Sequence, residues 1–167
     1  MPRVWDSLGT HLIWLLPMKY ILLLTMLLTF DVSAQSDLSF LKKDNPDELA
    51  FWAFADSDCP ISREDVEAIV TGVLIRSRIK PLVGLGLWAS APVYLNVSVG
   101  CVKLENNNPV YRIDSNFGRR NPFPAVIFEG SDHGRLGIGN ASDLKAGIKG
   151  AVEGAVTDYI KVNFIDK

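Results

Sequence analysis

Hydrophobic and polar residues alternate most regularly over residues 93–104, "VYLNVSVGCVKL". A period of two residues places successive side chains on opposite faces of a β-strand. One face of this predicted strand carries Leu95, Val97, Val99 and Cys101, and the other carries Asn96, Ser98 and Gly100. The pattern predicts a strand with one face against a hydrophobic core and one face toward solvent.

Several other segments have the composition of strands. Aromatic residues concentrate in "LAFWAFADSDC" at residues 49–59, and "VYRIDSNFG" at 110–118 follows the turn-like "ENNNP". Residues 93–104 and 110–118 therefore predict an antiparallel hairpin. The segments "RIKPLV", "PAVIFEG" and "RLGIG" predict shorter strands, the first of them at an edge.

Two segments have helical periodicity. In the first, Ser62 and Asp65 match a capping box, and Pro81 prevents the helix from continuing. Its apolar stripe comprises Val66, Ile69, Val70, Val73 and Leu74. The second helix is predicted to begin with Ser142 or Asp143 as its N-cap. Its stripe comprises Leu144, Ile148, Val152, Ala155, Tyr159 and Val162.

A column of small residues accompanies the second stripe: Gly147, Gly150, Ala151 and Gly154. Each glycine costs about 1 kcal/mol of helix propensity relative to alanine, so some close contact has to compensate. We expect close packing against the first helix or the sheet. The alternative is a docking groove for the helix of a partner.

The element order β-α-β-β-β-(β)-α predicts an α+β fold. We expect a two-layer sandwich in which two helices cover one face of an antiparallel sheet of about four to five strands. The predicted domain spans residues 49–167, and residues 35–48 are expected to form a flexible N-terminal arm.

The segment "MKYILLLTMLLTFDVSAQS" at residues 18–36 has the pattern of a secretory signal peptide. Lys19 provides the positive charge, an apolar run follows, and small residues precede the expected cleavage after Ala34. We expect translation to start at Met18, residues 1–34 to be removed, and the protein to be periplasmic or secreted. The alternative is an uncleaved N-terminal membrane anchor.

An exported chain with two cysteines usually oxidises them, so we expect a disulfide between Cys59 and Cys101. Two buried free thiols are the alternative, since no C-x-x-C spacing supports a redox-active pair. The chain has 17 basic and 19 acidic residues and a net charge of −2, which gives no electrostatic reason to bind nucleic acid.

No group of residues matches a catalytic or cofactor motif. Ser131, Asp132 and His133 are contiguous, whereas a catalytic triad converges from separate elements. The glycines of "GRLGIGN" lack the spacing of a nucleotide-binding loop, and the acidic residues around Cys59 lack the spacing of an EF-hand. The sequence therefore predicts no enzyme, no cofactor and no metal site.

Two segments are candidates for contact with a partner. Leu85, Leu87 and Trp88 lie in a connection bounded by glycine and proline, and Arg119 and Arg120 lie between two phenylalanines in a predicted loop. We expect a non-catalytic accessory module that binds another protein of the cell envelope. The alternative is a periplasmic carrier of a small apolar or amphipathic ligand held between the helices and the sheet.

Overall fold

A sheet with two helices packed on one face forms the architecture of the computed structural model, which describes residues 38–83, 91–104, 108–120, 126–129 and 133–165. These residues belong to one compact unit, Asp37–Lys167. The predicted α+β sandwich is confirmed. It is built from the strands β1 (Glu48–Ala55), β2 (Lys80–Leu82), β3 (Val93–Val102), β4 (Val110–Arg120), β5 (Val126–Glu129) and β6 (Arg135–Ile138) and from the helices α1 (Arg63–Arg76) and α2 (Ala141–Ile160).

The strands are ordered β2-β1-β3-β4-β5, and β6 also pairs with β4. β5 pairs with the last four residues of β4, and β6 pairs with Val110–Ile113 at its start. Because β5 and β6 follow one another along the same edge of β4, six strands make a sheet five strands wide. This width agrees with the four to five strands that were predicted.

The sheet is mixed, whereas an antiparallel sheet was predicted. β3, β4, β5 and β6 pair antiparallel, but β1 is parallel to both of its neighbours, β2 and β3. The chain leaves the end of β1, α1 carries it back along one face of the sheet, and β2 then runs in the same direction as β1. This β-α-β crossover requires a parallel pair.

Local sequence explains both helix starts. Ser62 accepts a hydrogen bond from the Asp65 backbone N–H, and the Asp65 carboxylate accepts one from the Ser62 N–H, as the predicted capping box requires. The N-cap of α2 is Asn140, two residues before the predicted Ser142. Asn140 and Asp143 form a second capping box, in which the asparagine side chain takes the role that serine has in α1.

The core lies between the helices and one face of the sheet. Alternate residues of β3 face it, as predicted, and Phe117 of β4 stacks on Tyr159 of α2 with ring centroids 6.2 Å apart. Cys59, in the connection from β1 to α1, is joined to Cys101 of β3 in the predicted disulfide. Since the two cysteines are 42 residues apart, the bond stabilises the fold by up to about 4 kcal/mol on the chain-entropy model.

The segment before β1 is held by the C-terminal end of the chain. Leu41, in the 3₁₀ turn Leu38–Leu41, is fully buried. Asn163, in the π-helical turn Lys161–Ile165, donates to the Leu41 carbonyl and accepts from the Lys43 N–H. From Leu38 onward, the segment expected to be a flexible arm is therefore attached to the core, and residues 35–37 lie outside the described part.

Candidate functional site

The face of the sheet that points away from the helices has a closed end, where side chains are buried, and an open end, where they are exposed. At the closed end, Ala50 of β1 and Tyr94 of β3 are cross-strand neighbours, and both are buried. The Tyr94 ring lies over Gly118 of β4, so close that a Cβ built on this glycine would be 2.3 Å from it. Glycine at position 118 thus makes room for an aromatic ring on the adjacent strand.

The open end presents apolar side chains to solvent. Val102, Val110 and Ile138 are direct cross-strand neighbours on β3, β4 and β6, and Leu136 is on the same face two residues before Ile138. The exposed fractions are 65% for Val102, 79% for Leu136 and 64% for Ile138, while Val110 is half-buried. We call these four residues the β6 patch.

Charged residues border the β6 patch, and aromatic residues lie farther along the same face. Arg112 is the cross-strand neighbour of Leu136 and is paired with Asp114 at 2.9 Å. Farther along the same face, Phe54 of β1 is 47% exposed, and the ring of Trp52 is covered by the Arg63 guanidinium at 4.6 Å. A contiguous apolar surface with a polar rim is typical of a site for contact with another molecule.

The glycines of α2 accommodate side chains from the sheet and from the segment before β6. A Cβ on Gly147 would be 2.9 Å from Ile113, one on Gly150 would be 2.9 Å from the Arg135 guanidinium, and one on Gly154 would be 2.4 Å from His133. This column packs against the sheet, the first of the two alternatives.

His133 makes a side-chain hydrogen-bond contact that the sequence did not predict. Its Nε2 is 2.7 Å from an Asp158 carboxylate oxygen, and Lys161 lies 3.7 Å from the other oxygen. The second ring nitrogen, Nδ1, lies against the backbone of α2 at Gly154. These contacts attach the segment before β6 to α2.

A shallow groove of about 380 Å³ lies between α1 and α2. Its lining includes the cations Arg76, Lys145 and Lys149 and the small residues Ala68, Gly72 and Ala146. Each cation has an acidic neighbour: Lys145 is 2.7 Å from Asp65, and Glu153 is near both Arg76 and Lys149. The hydrogen bond from Lys145 holds the pKa of Asp65 below its usual value. These exposed pairs leave little net charge in the groove.

The residues predicted to contact a partner are only partly described. Arg119 and Arg120 lie in β4 and pair with β5, so they belong to a strand and not to the predicted loop. Leu85, Leu87 and Trp88 lie outside the described residues. The β6 patch was not predicted, because periodicity identifies two faces of a strand but does not tell which end of the open face stays uncovered.

The described ranges contain neither a metal-binding cluster nor a membrane-crossing helix. No group of three or more histidine, cysteine, aspartate or glutamate side chains is arranged there to hold a metal ion. No helix among these residues has both the length and the apolar character that crossing a bilayer requires.

The chain matches no protein-family model and no curated protein at a significant level.

Proposed function

We propose that the protein is an exported, non-catalytic interaction module that binds another protein of the cell envelope through the β6 patch. The observation that carries this proposal is the contiguous row of exposed apolar side chains on β3, β4 and β6. Exposing such side chains to water is unfavourable by about 25 cal/mol for each Å² that a partner would cover. Burial by a partner supplies that free energy to binding.

The position of the patch also favours a protein partner. It lies on paired strands of the sheet, so the backbone that carries it is already ordered and loses little freedom on binding. The neighbouring Arg112 and Asp114 provide hydrogen-bonding groups at its border. An apolar centre with a polar border on a rigid support is the usual composition of a protein interface.

Site-specific photo-crosslinking in the native host tests the proposal. A benzoylphenylalanine introduced at Leu136 is expected to form a discrete adduct with one envelope protein, which mass spectrometry identifies. The matched control is the same residue introduced at Ile75, which is 60% exposed on α1 in the helical layer. The adduct should be absent with Ile75 and should disappear when Val102→Glu is added to the Leu136 variant.

Two results would contradict an interface at the β6 patch. One is the same set of adducts from positions 136 and 75, which indicates random collision. The other is the absence of any protein adduct at position 136 in cells where the protein is present and folded, as shown by its cross-linked Cys59 and Cys101.

Export is tested by intact mass. We propose cleavage after Ala34 followed by oxidation of the cysteines, so the exported protein should begin at Gln35 and be two hydrogens lighter than the reduced form. The proposal of export fails if the cellular protein retains residues 18–34 and both cysteines react with an alkylating reagent without prior reduction.

A further inference from the structure

We propose that the partner adds an extended segment to the outer edge of β6 and that a carboxylate of this segment pairs with Arg135. This inference rests on the proposed function, since it specifies how the partner meets the β6 patch. It identifies the partner by chemistry: a strand that alternates apolar and acidic residues.

The outer edge of β6 is free to accept another strand in the described part of the structure. β6 pairs with β4 along one edge, through Val110–Ile113, and no described strand pairs with its other edge. An edge strand leaves a row of backbone N–H and C=O groups without partners in the sheet. An extended peptide can satisfy these groups by continuing the ladder.

The two sides of β6 have different chemistry. Leu136 and Ile138 are on the open face of the sheet and are largely exposed. Arg135 is on the helix side, where its guanidinium lies against Gly150 of α2. Since residues of an added strand alternate between the same two sides, its open-face residues would extend the apolar surface and its helix-side residues would meet Arg135.

Arg135 differs from the other cations of this region in its charge environment. Arg112, Lys145 and Lys149 each lie within 4 Å of a carboxylate. Among the residues that the structure describes, Arg135 has no such neighbour. Its guanidinium lies beside Gly150 of α2 and is exposed, so a carboxylate of a partner can reach it from the solvent side. Charge complementarity therefore favours an acidic residue at the matching position of the partner.

A second copy of this chain is a less suitable occupant. Two β6 strands paired antiparallel would place both Arg135 side chains on the same side of the shared sheet, without a carboxylate from either β6 segment. In a register that places the two guanidinium groups directly opposite each other, their like charges disfavour the pair. A heterologous strand with an acidic residue satisfies both the backbone and the charge.

Amide chemical shifts of the isotope-labelled domain provide the test. The probe is a synthetic peptide of about eight residues in which glutamate alternates with valine and threonine. The control peptides replace glutamate by lysine, or carry N-methyl groups on alternate residues to block ladder hydrogen bonds. We expect the glutamate peptide to shift the amides of Arg135–Ile138 and both controls to leave them in place.

A pair of variants makes the test specific for Arg135. Arg135→Gln should lower the affinity for the glutamate peptide about tenfold, as expected for loss of a charge-assisted hydrogen bond. Lys149→Gln is the matched control, since this residue is a nearby cation that already has a carboxylate neighbour. Because an exposed, already paired cation contributes little to binding another carboxylate, this variant should change the affinity less than about twofold.

Several outcomes overturn the inference: no shift of β6 amides at millimolar peptide, equal binding of the lysine peptide, or concentration-dependent self-association with the same β6 shifts in the absence of peptide. The proposed function is decided separately by the adduct at position 136. If that adduct forms and Arg135→Gln leaves it unchanged, the patch is an interface but the pairing of Arg135 with a carboxylate of the partner is wrong.

Discussion

The two faces of β3 and β4 are made by alternate residues of the same strands, yet they have opposite roles. Toward the helices, residues such as Val97 and Phe117 are completely buried. Toward the other side, the strands change along their length from the buried Tyr94 to the exposed Val102. On one face, the side chains that are buried against the helices stabilise the fold. The other face has a buried end at Tyr94 and an exposed end at Val102.

The same strand therefore contributes to folding through one face and is available for recognition through the other. Residues on the helix side determine whether the sheet forms, because they account for most of the buried apolar area. Residues at the exposed end contribute little to folding and are free to serve recognition. Substitutions that affect one property and not the other test this separation.

The largest expected effect is that of Phe117→Ala. This side chain is fully buried and stacks on Tyr159, so its removal should lower the free energy of unfolding by about 3 to 5 kcal/mol. Leu136→Ala, in the β6 patch, should change it by less than about 0.5 kcal/mol. Urea unfolding of both variants measures the contrast, and comparable losses would show that the exposed end also supports the core.

The next effect distinguishes the two ends of the open face. Gly118→Ala places a methyl group in the space of the buried Tyr94 ring and should cost about 1 to 3 kcal/mol. At Gly100, a Cβ meets no atom within 4 Å, so Gly100→Ala should be neutral or stabilise by up to about 1 kcal/mol. Thermal unfolding provides the measurement. Equal destabilisation by both substitutions would contradict the division into two ends.

A smaller effect is expected from the glycines of α2. Gly147→Ala pushes the methyl group toward buried Ile113, and the overpacking should exceed the gain in helix propensity by about 1 kcal/mol. Gly154→Ala meets His133, which is able to swing outward, so the net change should be near zero. The His133 ring signals should shift in the second variant because the contact with Asp158 is lost. Unchanged ring signals would refute the predicted displacement.

The smallest effect depends on pH. Tyr159 donates to the Pro46 carbonyl, and Tyr159→Phe should cost about 1 kcal/mol at neutral pH. Burial, with the nearby charges of Asp47 and Glu48, raises the pKa of Tyr159 well above its usual value. The folded protein then keeps this proton above about pH 10, where the unfolded chain loses it, so stability is full below that pH and falls as pH rises further.

Denaturant unfolding at about pH 8 and about pH 11 checks this dependence. The wild-type protein should lose more stability between the two conditions than the Tyr159→Phe variant. Tyr94, whose pKa burial also raises, is unchanged in both proteins and accounts for part of the remaining slope. Identical slopes would mean that Tyr159 titrates in the same way in the folded and unfolded states.

Local patterns predicted most of the fold because they depend on neighbouring residues. The capping box of Ser62 and Asp65 and the alternation in β3 are determined within a few residues and are present in the structure. The parallel direction of β1 was not predicted, because alternation identifies a strand but does not specify which strands it pairs with or in which direction. The N-cap of α2 was misplaced, although Asn140 followed by Asp143 has the same spacing as the first capping box.

The candidate site was less accessible to prediction. Val102, Val110 and Ile138 become one surface only through the pairing of three strands, and none has an unusual local sequence. His133 and Asp158 are likewise brought together across 25 residues. Such contacts depend on the tertiary arrangement, which a single sequence specifies but local periodicity does not disclose.

The disulfide has a mechanical consequence. A pulling force applied along the chain passes directly from Cys59 to Cys101 through the sulfur atoms, so the chain between them, a sequence separation of 42, is shielded from extension. This corresponds to about 140 Å of contour length that stays folded back on itself while the bond is intact. Reduction would release that length in a single step, and a force-extension trace would record it as added extension.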